Sequence, residues 1–100
     1  MFNKEKYMTR GVDTEIPFKA QLTMWHLIEV ARPKVQLDYL QIFKLKPAKL
    51  DSGLVQVIEH SQEQPKYHQV TAFACDNPID AKVWVIDDGT HCTMLLPEER

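Results

Sequence analysis

The chain has 100 residues, of which 44% are hydrophobic and 26% are charged, and its net charge at pH 7 is −2. This length and composition are typical of one globular domain, so we assign residues 1–100 to a single domain. No apolar run approaches the roughly 20 residues that a membrane span needs, and the first residues contain no apolar signal segment. We therefore expect a cytoplasmic protein in which Cys75 and Cys92 are free thiols.

One helix is predicted in the first third of the chain. The stretch from Tyr7 to Val12 indicates a short edge strand, and Asp13 and Thr14 are candidate helix caps. The stretch from Pro17 to Ala31 has helical periodicity, with an apolar arc of about 220°. Because a surface helix needs a much narrower stripe, we expect this helix to bury more than one side.

The rest of the chain predicts strands. Alternating or β-branched stretches run from Leu37 to Lys46, from Leu54 to Gln62 and from Tyr67 to Cys75. The segments from Pro47 to Gly53 and from Gln62 to Lys66 are typical of a loop and a turn, and Asp76-Asn77-Pro78 also indicates a turn.

A hairpin is predicted between Lys82 and Leu96. Val83-Trp84-Val85-Ile86 suits a strand, and Asp88-Gly89 suits a two-residue turn that needs positive φ. Counting outward from that turn pairs Val85 with Cys92, and it places apolar side chains on both faces. Such a hairpin is typical of a central pair covered on both sides, or of a pair with one face covered by a partner.

The predicted element order is β-α-β-β-β-β-β, which indicates an α+β fold. Short connections between the last five strands favour an antiparallel β-meander with the helix packed on one face. The pattern leaves open whether this sheet is partly curled.

His60 and His68 flank the predicted turn at Gln62 to Lys66, and they would be cross-strand neighbours if the hairpin centred on Gln64. With Glu63, or with His91-Cys92, they form one hypothetical metal site and hence a metal-dependent enzyme. The spacing matches no zinc motif. Ser61 and Cys92 point away from their neighbouring histidines, and the glycines form no phosphate-binding loop. We therefore predict no catalytic activity, no cofactor and no resident metal.

Charge is distributed unevenly along the chain. Residues 1–50 hold nine Lys or Arg against five Asp or Glu, and residues 51–100 hold three against nine. A nucleic-acid-binding regulator that uses the basic first half is therefore one alternative. Its candidate contacts are Lys4, Lys6, Arg10, Lys44, Lys46 and Lys49, with Tyr7, Tyr39 and Phe43. The absence of Lys/Arg-rich runs and a pI near 6.0 favour a protein partner instead.

Several stretches of the sequence are distinctive. They are Thr9-Arg10-Gly11-Val12, Ile16-Pro17, Trp25, Asp38-Tyr39-Leu40-Gln41, His60, Gln62-Glu63, Pro65, Tyr67, Ile86-Asp87-Asp88-Gly89 and Thr93 to Glu99. Together they resemble a family of small uncharacterised bacterial and phage proteins, a domain of unknown function. The resemblance implies no reaction or cofactor, but it implies a setting among accessory proteins of bacteria and their mobile elements.

The leading hypothesis is a non-catalytic protein-interaction module. By analogy of setting, its target would be a host protein such as a defence nuclease, as for anti-CRISPR inhibitors. Acidic side chains at a turn and at the C-terminus would dock a basic surface, together with the end of a second hairpin. The predicted binding residues are Asp87, Asp88, Glu98, Glu99, Gln62, Glu63 and Tyr67. The wide helix arc and the two-faced hairpin also favour a homodimer.

Overall fold

The computed structural model describes residues 1–100 and contains one sheet with two helices on one of its faces. Its strands are β1 (Lys6–Met8), β2 (Leu40–Leu50), β3 (Gly53–Gln62), β4 (Tyr67–Ala74), β5 (Ala81–Asp87) and β6 (Cys92–Leu95). Its helices are α1 (Arg10–Glu15) and α2 (Phe18–Ala31), and a 3₁₀ turn, Pro97–Glu99, follows β6. The fold is thus α+β, with the main helix close to its predicted bounds.

The six strands lie in the order β1-β6-β5-β2-β3-β4. All neighbours are antiparallel except β1 and β6, which are parallel. The predicted meander is therefore wrong for β5, which pairs with β2 rather than with β4. The apolar β5 sequence suits a central position, whereas the more polar β4 suits an edge.

The start of the chain differs from the prediction. The strand ends at Met8, and Thr9 caps a new helix, α1, by accepting a hydrogen bond from the N–H of Val12 at 3.3 Å. The predicted caps at Asp13 and Thr14 therefore lie inside α1. The predicted edge strand is shorter because the Thr9 cap starts a helix within it.

Helix α2 buries one side only. Its buried positions are Ala20, Gln21, Met24, Leu27, Ile28 and Ala31. Phe18 and Leu22 remain 67% and 52% exposed, so the expectation that the helix buries more than one side is wrong within this chain. The core that α2 forms with the sheet includes Phe43, Leu45, Ile58 and Val85.

Strand bounds and registers also differ in detail. Strand β2 begins three residues later than predicted, at Leu40, and it continues through the predicted loop to Leu50. In the last hairpin, Asp87 pairs with Cys92 and Val85 pairs with Met94, so the connection is longer than two residues. The register is shifted by two from the prediction, which leaves every side chain on its predicted face.

Two further properties of the fold concern its helices and its cysteines. Neither helix is long and apolar enough to cross a lipid bilayer. Cys75 is half-buried and Cys92 is buried, and both are free thiols. Burial raises the pKa of Cys92 above its ordinary value, which keeps that thiol protonated.

Candidate functional site

Asp87 is a buried carboxylate that holds the N-terminus of the chain. Its Oδ2 accepts hydrogen bonds from the Phe2 N–H at 2.8 Å and from the Lys4 ammonium at 3.3 Å, and its Oδ1 accepts from the Gly89 N–H at 2.9 Å. Burial acts to raise its pKa, but these donors lower the pKa below its ordinary value. Asp87 is therefore not an exposed docking charge, which corrects the sequence-based interpretation.

Asp88 is exposed, but its carboxylate organises the adjacent loop. Oδ1 accepts from the N–H groups of Thr90 and His91 at 2.9 and 3.0 Å, and Oδ2 lies 3.3 Å from the His91 imidazole. The hydrogen bonds from His91 and Thr90 lower the pKa of Asp88 to about 2. The side chain thus shapes the loop and still presents a charge to solvent.

The two C-terminal glutamates have different environments. Glu99 accepts hydrogen bonds from the Thr9 hydroxyl, from the Gly11 N–H at 3.1 Å and from the Leu96 N–H at 2.9 Å. The Thr9 and Leu96 donors lower the pKa of Glu99 below its ordinary value. Glu99 therefore ties α1 to the chain end, whereas Glu98 is exposed and free to contact a partner.

The second predicted hairpin end is occupied by a buried amide network. The Gln62 side chain donates to the carbonyls of Gln36 and Pro65 at 3.0 and 2.7 Å, and its oxygen accepts from the Asp38 N–H and the Gln41 amide. Gln62 is buried and its hydrogen-bonding capacity is used within the chain, so it too is removed from the predicted contact set.

Two other predicted residues, Glu63 and Tyr67, lie close to that network. Glu63 is exposed, and Tyr67 is half-buried with a hydroxyl that has no hydrogen-bond partner. A shallow cleft of about 550 Å³ opens beside this turn. Its lining residues are Met1, Gln36, Leu37, Asp38, Tyr39, Gln64 and Pro65. Glu63 is the one member of this predicted group with a charge available to a partner.

His60 is enclosed by the core. Its ring stacks on Phe43 with a centroid distance of 4.5 Å, and its Nε2 lies 2.6 Å from the Gln41 Oε1. Because an amide oxygen can only accept, His60 carries its proton on Nε2, and its Nδ1 has no partner. Burial, followed by the charge of His68, lowers the pKa of His60 to about 4. His60 is therefore neutral at physiological pH.

The predicted metal site does not form. His60 pairs with Gln69, and His68 pairs with Ser61, so the two histidines lie on opposite faces of the sheet. His68 instead points to Glu59, with 3.3 Å between Nε2 and Oε1. No three His, Cys, Asp or Glu side chains are placed to hold a metal ion. The one-residue difference in register is the reason that the predicted neighbours separate.

The basic residues of the first half do not form one surface. Lys4 pairs with Asp87, Lys6 lies over the Trp25 ring on the helix side, and Lys44 and Lys46 lie on the opposite face. Phe43, a predicted stacking residue, is fully buried in the core. The proposed nucleic-acid platform therefore lacks both a common face and one of its aromatics.

The sheet face opposite the helices, which we call the outer face, has no helix packed on it. The strand registers align its side chains in rows across the sheet. One row contains Tyr7, Thr93, Ile86 and Leu40, and the next contains Leu95, Trp84, Ile42, Ser61 and His68. Tyr7 is 50% exposed, and Ile86, Leu40, Trp84 and Ile42 are half-buried. Leu95 is buried, and the rest of these rows form a partly exposed, largely apolar surface on which no helix packs.

A row of charged side chains follows on the outer face. Lys82 pairs with Lys44, and Lys44 pairs with Glu59 on its other side. The Glu59 carboxylate is held by Lys46 at 2.6 Å and by His68 at 3.3 Å. Lys44 and Lys82 are exposed and have no ion-pair partner, so two like charges lie opposite each other.

Arg100 extends this positive surface toward the apolar rows. Its guanidinium lies over the Trp84 ring, 5.8 Å from the ring centre. Trp84 therefore sits between aliphatic neighbours and a cation, with part of its ring accessible. None of Lys82, Trp84 or Arg100 was a predicted protein-binding residue. The sequence feature that could have identified this surface is the apolar composition of both hairpin faces, which indicated that one face is covered by a partner.

Residues 5–99 match the family model described as "Staphylococcal protein of unknown function (DUF960)". The chain belongs to the DUF960 family. This result confirms the resemblance to a bacterial family of unknown function, and the match includes both the outer face and the hairpin ends. No curated protein matches the sequence.

A solved structure shares the DUF960 fold described above. It is titled as the crystal structure of the protein of unknown function from Enterococcus faecalis. It is 22% identical, its TM-score is 0.75, and the alignment covers 97% of this chain and 91% of that chain. At this identity the similarity concerns the fold alone.

Proposed function

We propose that the protein is a non-catalytic protein-interaction module that binds an acidic, partly apolar surface of a bacterial partner through its outer face. The observation that carries this proposal is the uncovered apolar surface around Trp84 and Ile42, bordered by unpaired Lys44 and Lys82. A sheet of this kind normally packs one face on a core and presents a polar second face to water. Here the second face has the composition of an interface.

The chemistry of the outer face resembles that of a protein contact. Trp, Tyr and Arg are enriched in interface cores and in the few residues that dominate binding energy. Trp84 lies near the middle of the surface, Tyr7 lies at one side, and Arg100 lies over the indole. The aliphatic side chains of Ile42 and Ile86 supply the apolar area around them.

The charge of the outer face supports an acidic partner. Like charges directly opposite on neighbouring strands destabilise a sheet, so the Lys44–Lys82 pair costs folding free energy in the isolated chain. A carboxylate from a partner placed between the two ammonium groups would remove that repulsion. Arg100 would provide a bidentate donor at the adjacent position.

A protein partner is favoured over nucleic acid. The two rows contain two large aromatic side chains, Tyr7 and Trp84, which lie on strands separated by β6, whereas single-stranded nucleic acid needs successive exposed aromatics along a basic groove. The net charge of −2 also opposes binding to a polyanion. That the partner is a defence nuclease stays a prediction. Asp87 and Glu99 accept hydrogen bonds from backbone N–H groups of the chain, so they are less available to imitate the phosphates of a nucleic acid. This favours contact with an acidic region of such a target.

The absence of catalysis in this proposal is supported by the position of His60. The ring is buried, and its protonated nitrogen is bound to Gln41, so no substrate atom can reach it without opening the core. Asp88 and Glu99, two of the predicted binding residues, hold a loop and a chain end. Their hydrogen bonds stabilise the fold.

The proposal is tested by affinity capture from the lysate of a host bacterium, with and without nuclease. The test variant is Lys82→Glu/Arg100→Glu, and the control is Lys34→Glu/Lys49→Glu, which changes the net charge equally at exposed sites with no ion pair. We expect one protein to be retained by the wild type and the control after nuclease treatment, and to be lost by the test variant. Equal retention by all three proteins would contradict an outer-face site, and recovery that disappears with nuclease would indicate nucleic acid.

A further inference from the structure

Strand β4 is an edge strand that lacks the usual protection against pairing. It forms one side of the sheet, and its eight residues pair continuously with β3 without a bulge. Native proteins protect such an edge with Lys, Pro, a bulge or a covering segment. Between Tyr67 and Ala74 there is no Lys and no Pro, and the side chains are exposed or half-exposed. The opposite edge, β1, has only three residues.

The free backbone groups of β4 can be identified from its ladder with β3. The Cys75 N–H donates to the Leu54 carbonyl at 3.1 Å. Bonded and non-bonded pairs alternate in an antiparallel ladder, so the odd-numbered residues of β4 bond to β3. The even-numbered residues direct their N–H and C=O groups away from the sheet. They are His68, Val70, Ala72 and Ala74.

We propose that β4 pairs with β4 of a second copy of this chain, antiparallel and centred on Thr71, to form a symmetric dimer with one continuous sheet. Only this register pairs all the outward residues with one another, because it places His68 opposite Ala74 and Val70 opposite Ala72. A twofold axis makes the interface self-complementary, since each contact occurs twice. This proposal is independent of the function proposed for the outer face.

The side chains fit the same register. Val70 meets Ala72 on the outer face, and Gln69 meets Phe73 on the helix side, so small or flexible groups oppose larger ones. No like charges meet within the strand. These properties allow the two backbones to approach to the spacing that a β-ladder requires.

Charge complementarity at the ends specifies the second copy as the occupant. Lys66 lies in the turn just before β4 and Asp76 lies in the bend just after it, so continuing the count from Thr71 brings Lys66 of one chain near Asp76 of the other, and the symmetry repeats this pair at the far end. Both side chains are exposed, and neither has an ion-pair partner within its own chain. An unrelated extended peptide has no reason to carry the matching charges.

The dimer also affects the outer face. With the twofold axis perpendicular to the sheet, the outer faces of the two copies lie on the same side. The helices of both copies then lie together on the other side. The contact surface around Trp84 is thereby presented twice in one assembly, which increases the avidity for a partner that has repeated sites.

The mass of the protein in solution tests the proposal, measured by sedimentation equilibrium from micromolar to millimolar concentration. We expect the mass to rise from the 11.7 kDa of one chain toward twice that value. Over the same range, hydrogen exchange at the amides of His68, Val70, Ala72 and Ala74 should slow. A monomeric mass throughout would overturn the proposal, and so would a dimer in which these amides stay unprotected.

A charge-swap series tests the register without disturbing the strand. Lys66→Asp places like charges at both ends and is expected to raise the dimer Kd about tenfold. The double variant Lys66→Asp/Asp76→Lys restores opposite charges and should return the Kd to the wild-type value. Lys34→Asp is the control for net charge and should change the Kd little. A Kd that does not respond to Lys66→Asp, or that the double variant fails to restore, would overturn the register centred on Thr71.

Discussion

Lys44 and Lys82 lie directly opposite each other on β2 and β5, and neither reaches a carboxylate within ion-pair distance. Like charges opposite each other on neighbouring strands are expected to destabilise the isolated domain, and under the proposed function a partner's acidic group would bind at this position. This relationship connects the stability of the fold with the function proposed for the outer face. It also makes the two properties separable by mutation.

Lys82→Glu is expected to stabilise the isolated protein and to weaken capture of its partner. The new carboxylate faces Lys44 across the strands, so repulsion is replaced by attraction; Glu15, Asp80 and Glu98 line the same cleft as residue 82 and limit the net gain to a few tenths of a kcal/mol. Urea denaturation at low salt measures the gain, which should shrink as salt is added. Lys49→Glu, at an exposed site outside this pair, is the control. Lower stability for Lys82→Glu would contradict the assigned repulsion.

Asp87→Asn is expected to destabilise the fold by about 2 kcal/mol and to release the N-terminus. An amide cannot accept from the Phe2 N–H, the Lys4 ammonium and the Gly89 N–H together. Denaturation gives the loss, and faster hydrogen exchange at residues 2–5 gives its location. Asp76→Asn, at an exposed position, should leave both unchanged. If Asp87→Asn unfolds like the wild type while partner capture falls, Asp87 is a contact residue after all.

Gly11→Ala is expected to destabilise α1 although alanine favours a helix. An added Cβ would lie 2.6 Å from the Glu99 Oε2 and 2.8 Å from a Leu96 methyl carbon. Such overpacking costs about 1–3 kcal/mol, against a propensity gain of about 1 kcal/mol. A double-mutant cycle with Glu99→Ala tests the cause, since truncating Glu99 should reduce the cost of the substitution. Additive effects would show that Glu99 is not the group in contact.

His60 predicts a loss of stability in mild acid. The pKa of His60 is about 4 in the folded state, whereas the ordinary value of 6.5 applies to the unfolded chain. The unfolded chain therefore binds the proton first as the pH falls. Stability is complete above pH 6.5, decreases as the pH falls toward 4, and is lower by on the order of 3 kcal/mol below that range. Denaturation at several pH values measures the slope. His60→Phe should remove the slope between pH 6.5 and about 4.5, and a slope that persists would assign the effect to another group.

The sequence indicated most of the elements because their signals are local. The helical period between Phe18 and Ala31 and the β-branched run at Val83 each lie within a few residues. The two hairpin faces were also predicted, since a register shift of two keeps each side chain on its face. The pairing of β5 with β2 depends on contacts between distant segments, which local patterns do not encode.

The roles of the acidic residues could not be predicted for the same reason. Asp87 and Glu99 have the composition of a solvated turn and a solvated chain end. Their partners, Phe2 and Thr9, are 85 and 90 residues away in sequence. Gln62 similarly binds the Gln36 carbonyl across the fold. Polar side chains that the sequence suggests are solvent-exposed therefore form hydrogen bonds that hold distant segments together.

Several residues that carry the family resemblance form these long-range hydrogen bonds. Thr9, Gly11 and Glu99 join α1 to the C-terminus, and Gln41 and Gln62 hold the segment before β2. The resemblance thus includes residues that hold the fold together. It also includes Leu40, Ile86, Thr93 and Leu95 of the outer face, but not Trp84, whose signal was the two-sided hydrophobicity of the last hairpin.

The most direct test of the proposed contact surface is an NMR titration of the ¹⁵N-labelled protein with the partner obtained by capture. We predict that the Trp84 indole and the backbone amides of β5 and the first half of β2 shift on binding. Signals from the exposed Asp88 to Thr90 loop and from Glu63 should stay in place. Shifts confined to that loop and to Glu63, with an unchanged Trp84 indole, would contradict the outer face as the binding site.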